Sequence, residues 1–171
     1  AIKQQSLFSK GKIILVDDEF LPMLTNLGSK IKIVSSQKLE NELLNNMNGH
    51  KYQPVPSESM FVILFTSGST GLSKGICHTQ KDLIFIGRNC ASSWKISSSD
   101  RLLSGIPLLS AATLGCILIP ALLQGACLII PDKRKPEVLV DSIEKKKATF
   151  FLGTPTNYIQ AVNGYFKRKW S

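Results

Sequence analysis

Apolar positions along this chain fall into short continuous blocks, and between them lie longer stretches whose apolar residues recur at helical spacing. The blocks Ile13–Val16, Ile31–Ser35, Phe61–Phe65, Leu102–Ile106, Ala126–Ile130 and Thr149–Gly153 predict strands, and a further short apolar stretch opens at Ile76. The intervening segments predict helices over Glu19–Leu27, Gln37–Asn46 (Leu39, Leu43 and Leu44 on one face), Thr79–Trp94 (Leu83, Ile84, Ile86 and Gly87 inward), Ala112–Leu123 and Glu137–Lys147. Pro155 suits the first turn of a last helix running to about Tyr165. Pro120 predicts a kink, Ser97–Asp100 a turn, and the polar Met47–Ser59 stretch with Pro54 and Pro56 a linker. Strands that are apolar throughout, alternating with helices, imply an α/β fold: a mainly parallel sheet flanked by helices on both faces.

Length and composition fit that picture. A chain of 171 residues with 43% hydrophobic content has room for one sizeable core. We expect one partial α/β domain over 1–171, with a preceding α/β layer and linker over 1–58 and a core segment over 59–171. The uncharged stretch Leu102–Pro131 is long enough to span a bilayer, but Gly105, Pro107, Gly115, Pro120 and Gly125 divide it into strand, helix and strand. It reads as buried core, with no membrane span. A formal net charge of +9 raises a nucleic-acid reading. The cations sit in separate clusters, such as Lys133-Arg134-Lys135 and Lys145-Lys146-Lys147, with no aromatic-interleaved stripe or zinc-finger spacing, so they read as solvated faces. Cys77, Cys90, Cys116 and Cys127 form no Cys-x-x-Cys pair, and three lie in apolar surroundings, which points to a reduced, cytoplasmic protein. Lys12–Glu19 looks like the opening of a response-regulator receiver domain. No aspartate lies between Glu19 and Asp82 to accept a phosphoryl group, so the acids read as a strand end and a helix start.

The candidate chemistry lies in Phe61–Thr79. The apolar run to Phe65 passes directly into Thr66-Ser67-Gly68-Ser69-Thr70-Gly71, and Lys74 and Gly75 follow. Small residues leave backbone N–H groups free to turn inward, hydroxyls donate beside them, and one lysine adds charge: a cradle for a polyanion such as a nucleotide's phosphates. A flexible Gly/Ser turn between two strands is the bland alternative. The order Gly68, Gly71, Lys74, Gly75 is not that of a Walker loop, and no Gly-x-Gly-x-x-Gly fingerprint can be placed.

This loop resembles the phosphate-binding loop of the adenylate-forming (AMP-binding) superfamily of acyl- and aryl-CoA synthetases, luciferases and peptide-synthetase adenylation domains. The family form, aromatic-Thr-Ser-Gly-Ser/Thr-Thr-Gly-x-Pro-Lys-Gly, is matched from Phe65 to Gly75 except at Ser73, where proline is usual. Pro107–Gly115 looks like the family's Pro-Leu-Phe-His segment, and Thr149–Thr156 like its strand leading into a Thr-Pro turn, so the likeness covers roughly 59–161. It implies ATP, Mg2+ and CoA as cofactors and a small-molecule carboxylic acid as substrate, in an ATP-dependent, AMP-forming carboxylate–CoA ligase. By the same resemblance Thr66, Ser67, Ser69 and Thr70 supply hydroxyls to the β- and γ-phosphates, Gly68, Gly71 and Gly75 permit close approach, and Lys74 offsets the charge of the leaving pyrophosphate. Leu109, Ser110, Ala111 and Thr113 are the acyl-pocket candidates, while His78 at the loop's exit reads as structural.

Two further departures qualify the likeness. Ser110 stands where an aromatic or histidine is common, which puts the pocket's shape in question. The family's Tyr-Gly-x-Thr-Glu and Thr-Gly-Asp segments, which hold the metal and the ribose, are not in the sequence. The expectation is therefore a fragment of the large N-terminal domain, with the remainder of a parent enzyme as its missing partner, binding nucleotide phosphates at most when alone. The alternative is a catalytically incomplete stand-alone nucleotide-binding or regulatory module.

Overall fold

The computed structural model describes residues 5–6, 9–24, 31–45, 53–66, 74–131 and 135–169. These group into two compact units, one of 1–55 with 65–76 and one of 56–64 with 77–171. In the first unit β1 (Ile13–Val16) pairs in parallel with β2 (Lys32–Ser35), Ile14 lying opposite Ile33. Between them, where a helix to Leu27 is expected, runs a 3-10 helix over Asp18–Leu24, and 25–30 lie outside the described residues. Pro22 within it removes a backbone donor, which disfavours an α-helical ladder. Helix α1 (Ser36–Asn45) starts at the end of β2, where the Asp18 carboxylate accepts from the Ser36 hydroxyl at 3.3 Å and the Gln37 N–H at 3.2 Å. Leu43 and Leu44 on this helix are exposed.

Strands β3 (Met60–Thr66) and β4 (Lys74–Thr79) form a separate two-stranded sheet. The Gln80 N–H donates to the Ser59 carbonyl at one end and the Thr66 hydroxyl to the Lys74 carbonyl at the other, so the strands run antiparallel. Helix α2 (Gln80–Ser93) begins in a capping box: Asp82 N–H donates to Thr79 Oγ1 at 3.1 Å, and Thr79 N–H to Asp82 Oδ2 at 2.8 Å.

The second unit is built on a parallel sheet in the order β6-β5-β7, with β5 (Arg101–Ser104) between β6 (Cys127–Ile129) and β7 (Phe150–Leu152). Register places Leu102, Leu128 and Phe150 on one face and Leu103, Ile129 and Phe151 on the other. Leu102 packs with Ala91 of α2, Ile96, and Ile117 and Ala121 of α3, the helix over 111–124 that connects β5 to β6. On the opposite face Phe151 meets the Tyr158 ring of α5 (Pro155–Lys169), 4.9 Å from its own, and lines an apolar cavity together with Ala161 of α5 and Val140 of α4 (Pro136–Glu144). The expected two-sided sheet is thus realised. Leu102, Leu103, Ile117 and Leu139 are fully buried, each contributing about 1.5–3 kcal/mol.

Helix α3 runs over 111–124, and Pro120 reshapes it upstream of the expected kink. Ala111–Thr113 is α-helical, Leu114–Leu118 forms a π turn in which the Ile119 N–H reaches the Leu114 carbonyl, and Ile119–Gln124 is α-helical again. Proline has no N–H for the carbonyl four residues back and its ring crowds it; the wider turn relieves both. Gly125, at φ 67°, ends the helix in a left-handed conformation that costs glycine little.

Candidate functional site

The predicted phosphate loop is anchored at both ends by the antiparallel sheet. Thr66 is the last residue of β3, and Lys74 and Gly75 open β4, so these three belong to strand ends where a continuous loop is expected from sequence. A 3.5 Å hydrogen bond from the Thr66 hydroxyl to the Lys74 carbonyl closes the mouth. Ser67, Gly68, Ser69, Thr70 and Gly71 lie outside the described residues. The Lys74 side chain is exposed and has no carboxylate partner among the described residues, which leaves its ammonium available to an anion. His78 is half-buried within β4, and its charge helps hold the Asp82 carboxyl below its ordinary value, after the larger effects of the Thr79 N–H and hydroxyl.

The acyl-pocket candidates occupy the C-terminal edge of β5 and the start of α3. Leu109, at 73% exposure, and Ala111 face solvent. Ser110 caps α3, its Oγ accepting from the Thr113 N–H at 3.2 Å and donating to Thr113 Oγ1 at 3.1 Å. Thr113 is fully buried, and its hydroxyl also meets Ser104 Oγ at 2.8 Å. Ser104 is buried in turn; its hydroxyl donates to the Ile106 carbonyl at 3.0 Å and accepts from the Ile106 N–H at 3.3 Å. A chain of hydroxyls, Ser110–Thr113–Ser104, therefore ties both ends of the 105–110 loop to each other. Sequence reasoning passed over Ser104 as part of an apolar strand. The available signal was a serine closing a run of buried residues, where a hydroxyl requires a partner. Ser104 also borders a recess of about 90 Å3, otherwise apolar, formed with Ile106, Leu108, Leu128, Ile129 and Pro131.

At this edge the sheet has a topological switch point. The chain leaves β5 for α3 on one face and leaves β7 for α5 on the other, the kind of position at which open α/β sheets place ligands. Gly105 and Gly153 flank it. A Cβ on Gly105 would stand 2.9 Å from the Phe151 ring, and one on Gly153 would stand 3.0 Å from Asn157 Cβ. Asn157 Oδ1 accepts from both the Thr154 N–H and hydroxyl at 2.8 Å, fixing the start of α5. Among the described residues no three His, Cys, Asp or Glu side chains gather as a metal site, and no helix is long and apolar enough to cross a membrane.

Known proteins share both the sequence and this architecture. The chain is 32% identical over 105 residues to feruloyl-CoA synthase from Amycolatopsis sp, covering 61% of this chain and 21% of that protein. It is 28% identical over 153 residues to the hybrid PKS-NRPS synthetase pvhA of Talaromyces variabilis, covering 88% of this chain and 4% of that one. Among solved structures, ATP-bound MatB from Rhodopseudomonas palustris superposes with a TM-score of 0.78 at 19% identity, over 93% of this chain and 33% of that one, which is a likeness of fold. The chain thus spans about a fifth of the length of the feruloyl-CoA synthase it matches. The sequence pattern of the AMP-binding enzymes runs through residues 2–170, nearly the whole chain, and with the α/β core found here it makes this protein a member of the AMP-binding enzyme family.

Proposed function

We propose that this chain is the phosphate-holding part of an ATP-dependent, AMP-forming carboxylate–CoA ligase. The observation that carries the reading is the convergence of Thr66 and Lys74 at the mouth of the Thr-Ser-Gly-Ser-Thr-Gly segment. In the reaction a substrate carboxylate oxygen attacks the α-phosphorus of ATP, the bond to the β-phosphate oxygen breaks, and pyrophosphate leaves from the acyl-adenylate. A thiol then displaces AMP. Charge accumulates on the departing pyrophosphate, so its stabilisation lowers the barrier. Thr66, Ser67, Ser69 and Thr70 donate to the β- and γ-phosphate oxygens, Gly68, Gly71 and Gly75 let the backbone approach, and the Lys74 ammonium offsets the charge. Leu109, Ser110, Ala111 and Thr113 border the acyl site. Ser110 and Thr113 act there through the fold of the 105–110 loop, since their hydroxyls are engaged with each other and with Ser104.

The described residues offer no ligand cluster for the magnesium ion that the resemblance implies, and no step is routed through it. Similarity to a CoA synthase and to a peptide-synthetase-type protein alike supports the shared adenylation half-reaction. CoA as the acceptor rests on the Pro107-Leu108-Leu109 form of the second segment. A reduced, cytoplasmic setting goes with this reading.

Carboxylate-dependent ATP–pyrophosphate exchange tests it. Lys74→Ala combined with Thr70→Ala in the parent enzyme should lower kcat/KM for ATP by about 100-fold or more, the loss typical of removing a donor to developing charge. Unchanged exchange would refute the assignment. The isolated chain should show no exchange, and activity comparable to a full-length ligase would refute its reading as a part.

A further inference from the structure

Outside the candidate site, two of the four cysteines meet at the seam between α2 and α3. The seam is tight because glycine stands on both sides of it. Ile86 of α2 packs on Gly115, where an added Cβ would lie 3.0 Å from Ile86 Cγ2, and Gly87 packs on Ile119 and Leu123. Cys90 lies one turn beyond Ile86 on the same face of α2. Cys116 follows Gly115 inside the π turn. Both cysteines are half-buried and free, and Cys116 is a near enough neighbour of Cys90 to push that thiol's pKa upward.

We propose that Cys90 and Cys116 form a reversible disulfide that staples α2 to the π turn of α3, a modification site for low-molecular-weight disulfides such as oxidised glutathione. One cysteine sulfur attacks a glutathione sulfur, its proton passes to solvent, and a glutathione thiolate leaves. The second cysteine then attacks the mixed disulfide and releases the other glutathione. Two protein thiols are oxidised and one glutathione disulfide is reduced to two thiols, so atoms and electrons balance. The bond would close a loop that contains β5, Ser104 and the 105–110 segment, and it would fix the π turn in the register seen here. Burial first, then the neighbouring Cys116, pushes the Cys90 thiol up to about 11, so Cys90 rests as a protonated thiol at neutral pH. Closure is therefore slow, and it responds to sustained oxidising conditions over brief ones.

The whole chain, incubated in oxidised glutathione, then alkylated and digested with trypsin, provides the test. Oxidation should join the peptide 89–95 to the peptide 102–133, with a loss of two hydrogens, and dithiothreitol should reverse it. Because 102–133 also holds Cys127, fragmentation must place the bond at Cys116. The cross-link should survive in Cys127→Ser and vanish in Cys116→Ser. Persistence in Cys116→Ser, or complete alkylation of Cys90 after oxidation of wild-type chain that keeps its circular dichroism, would overturn the proposal. The wild-type arm decides the question even if a variant fails to fold.

Discussion

Gly87→Ala tests the close packing of α2 on α3 most directly. Alanine would ordinarily stabilise a helix interior by about 1 kcal/mol relative to glycine. Here the new methyl would stand 2.4 Å from Ile119 Cγ2, 3.0 Å from Ile119 Cβ and 3.3 Å from Leu123 Cδ1, whereas carbon atoms prefer about 3.5–4.0 Å. Rotating Ile119 about χ1 moves Cγ2 but leaves its Cβ in place, so the helices themselves must separate. Overpacking costs about 1–3 kcal/mol, and a contact this short belongs at the upper end. Subtracting the propensity gain leaves a net loss of about 2 kcal/mol, which lowers the urea midpoint by about 1 M for a slope near 2 kcal/mol per molar. Equilibrium urea unfolding followed by circular dichroism reads this out. In an Ile119→Ala background the offending Cγ2 is gone, so the same substitution should cost about 1 kcal/mol or less, a coupling of about 1–2 kcal/mol. A Gly87→Ala midpoint at or above wild type, or an equal loss in both backgrounds, would refute the packing argument.

Two further outcomes follow from the polar contacts. Thr113→Val keeps the buried shape but leaves Ser110 and Ser104 without their shared hydroxyl partner; we expect about 1–3 kcal/mol of lost stability by urea unfolding, and an unchanged midpoint would show that the relay contributes nothing. The Asp100 carboxyl is held below its ordinary 3.8 by the Ser97 N–H first, then by the Thr149 and Ser97 hydroxyls, and Asp82 is lowered by Thr79. Both folded values are depressed, so this stabilisation is complete above pH 4 and disappears as pH falls through the lowered values. An Asp82→Asn/Asp100→Asn double variant should be less stable at pH 7 and show a shallower acid limb, and an acid limb as steep as wild type would contradict the assignment.

The sequence by itself determined the order and type of most elements. Parallel strands covered on both faces are largely apolar, so Leu102–Ile106 and Ala126–Ile130 are visible as blocks, and Asp82 three residues after Thr79 marks the start of α2. The segment we propose as a phosphate cradle stands out in sequence as an unbroken local run of small, hydroxylated and cationic residues, the kind that holding a polyanion demands. Tertiary structure alone decided the rest. Strand order β6-β5-β7 created the switch point, and it depends on which strands pair across long connections. The π turn arose where the helix accommodated Pro120 while keeping its face on α2. Ser104 met Thr113, and Cys90 met Cys116, because the sheet and helix registers brought them together in space. Contacts of this kind carry no local periodicity, so the residues that make them look like ordinary strand and helix positions until the chain has folded.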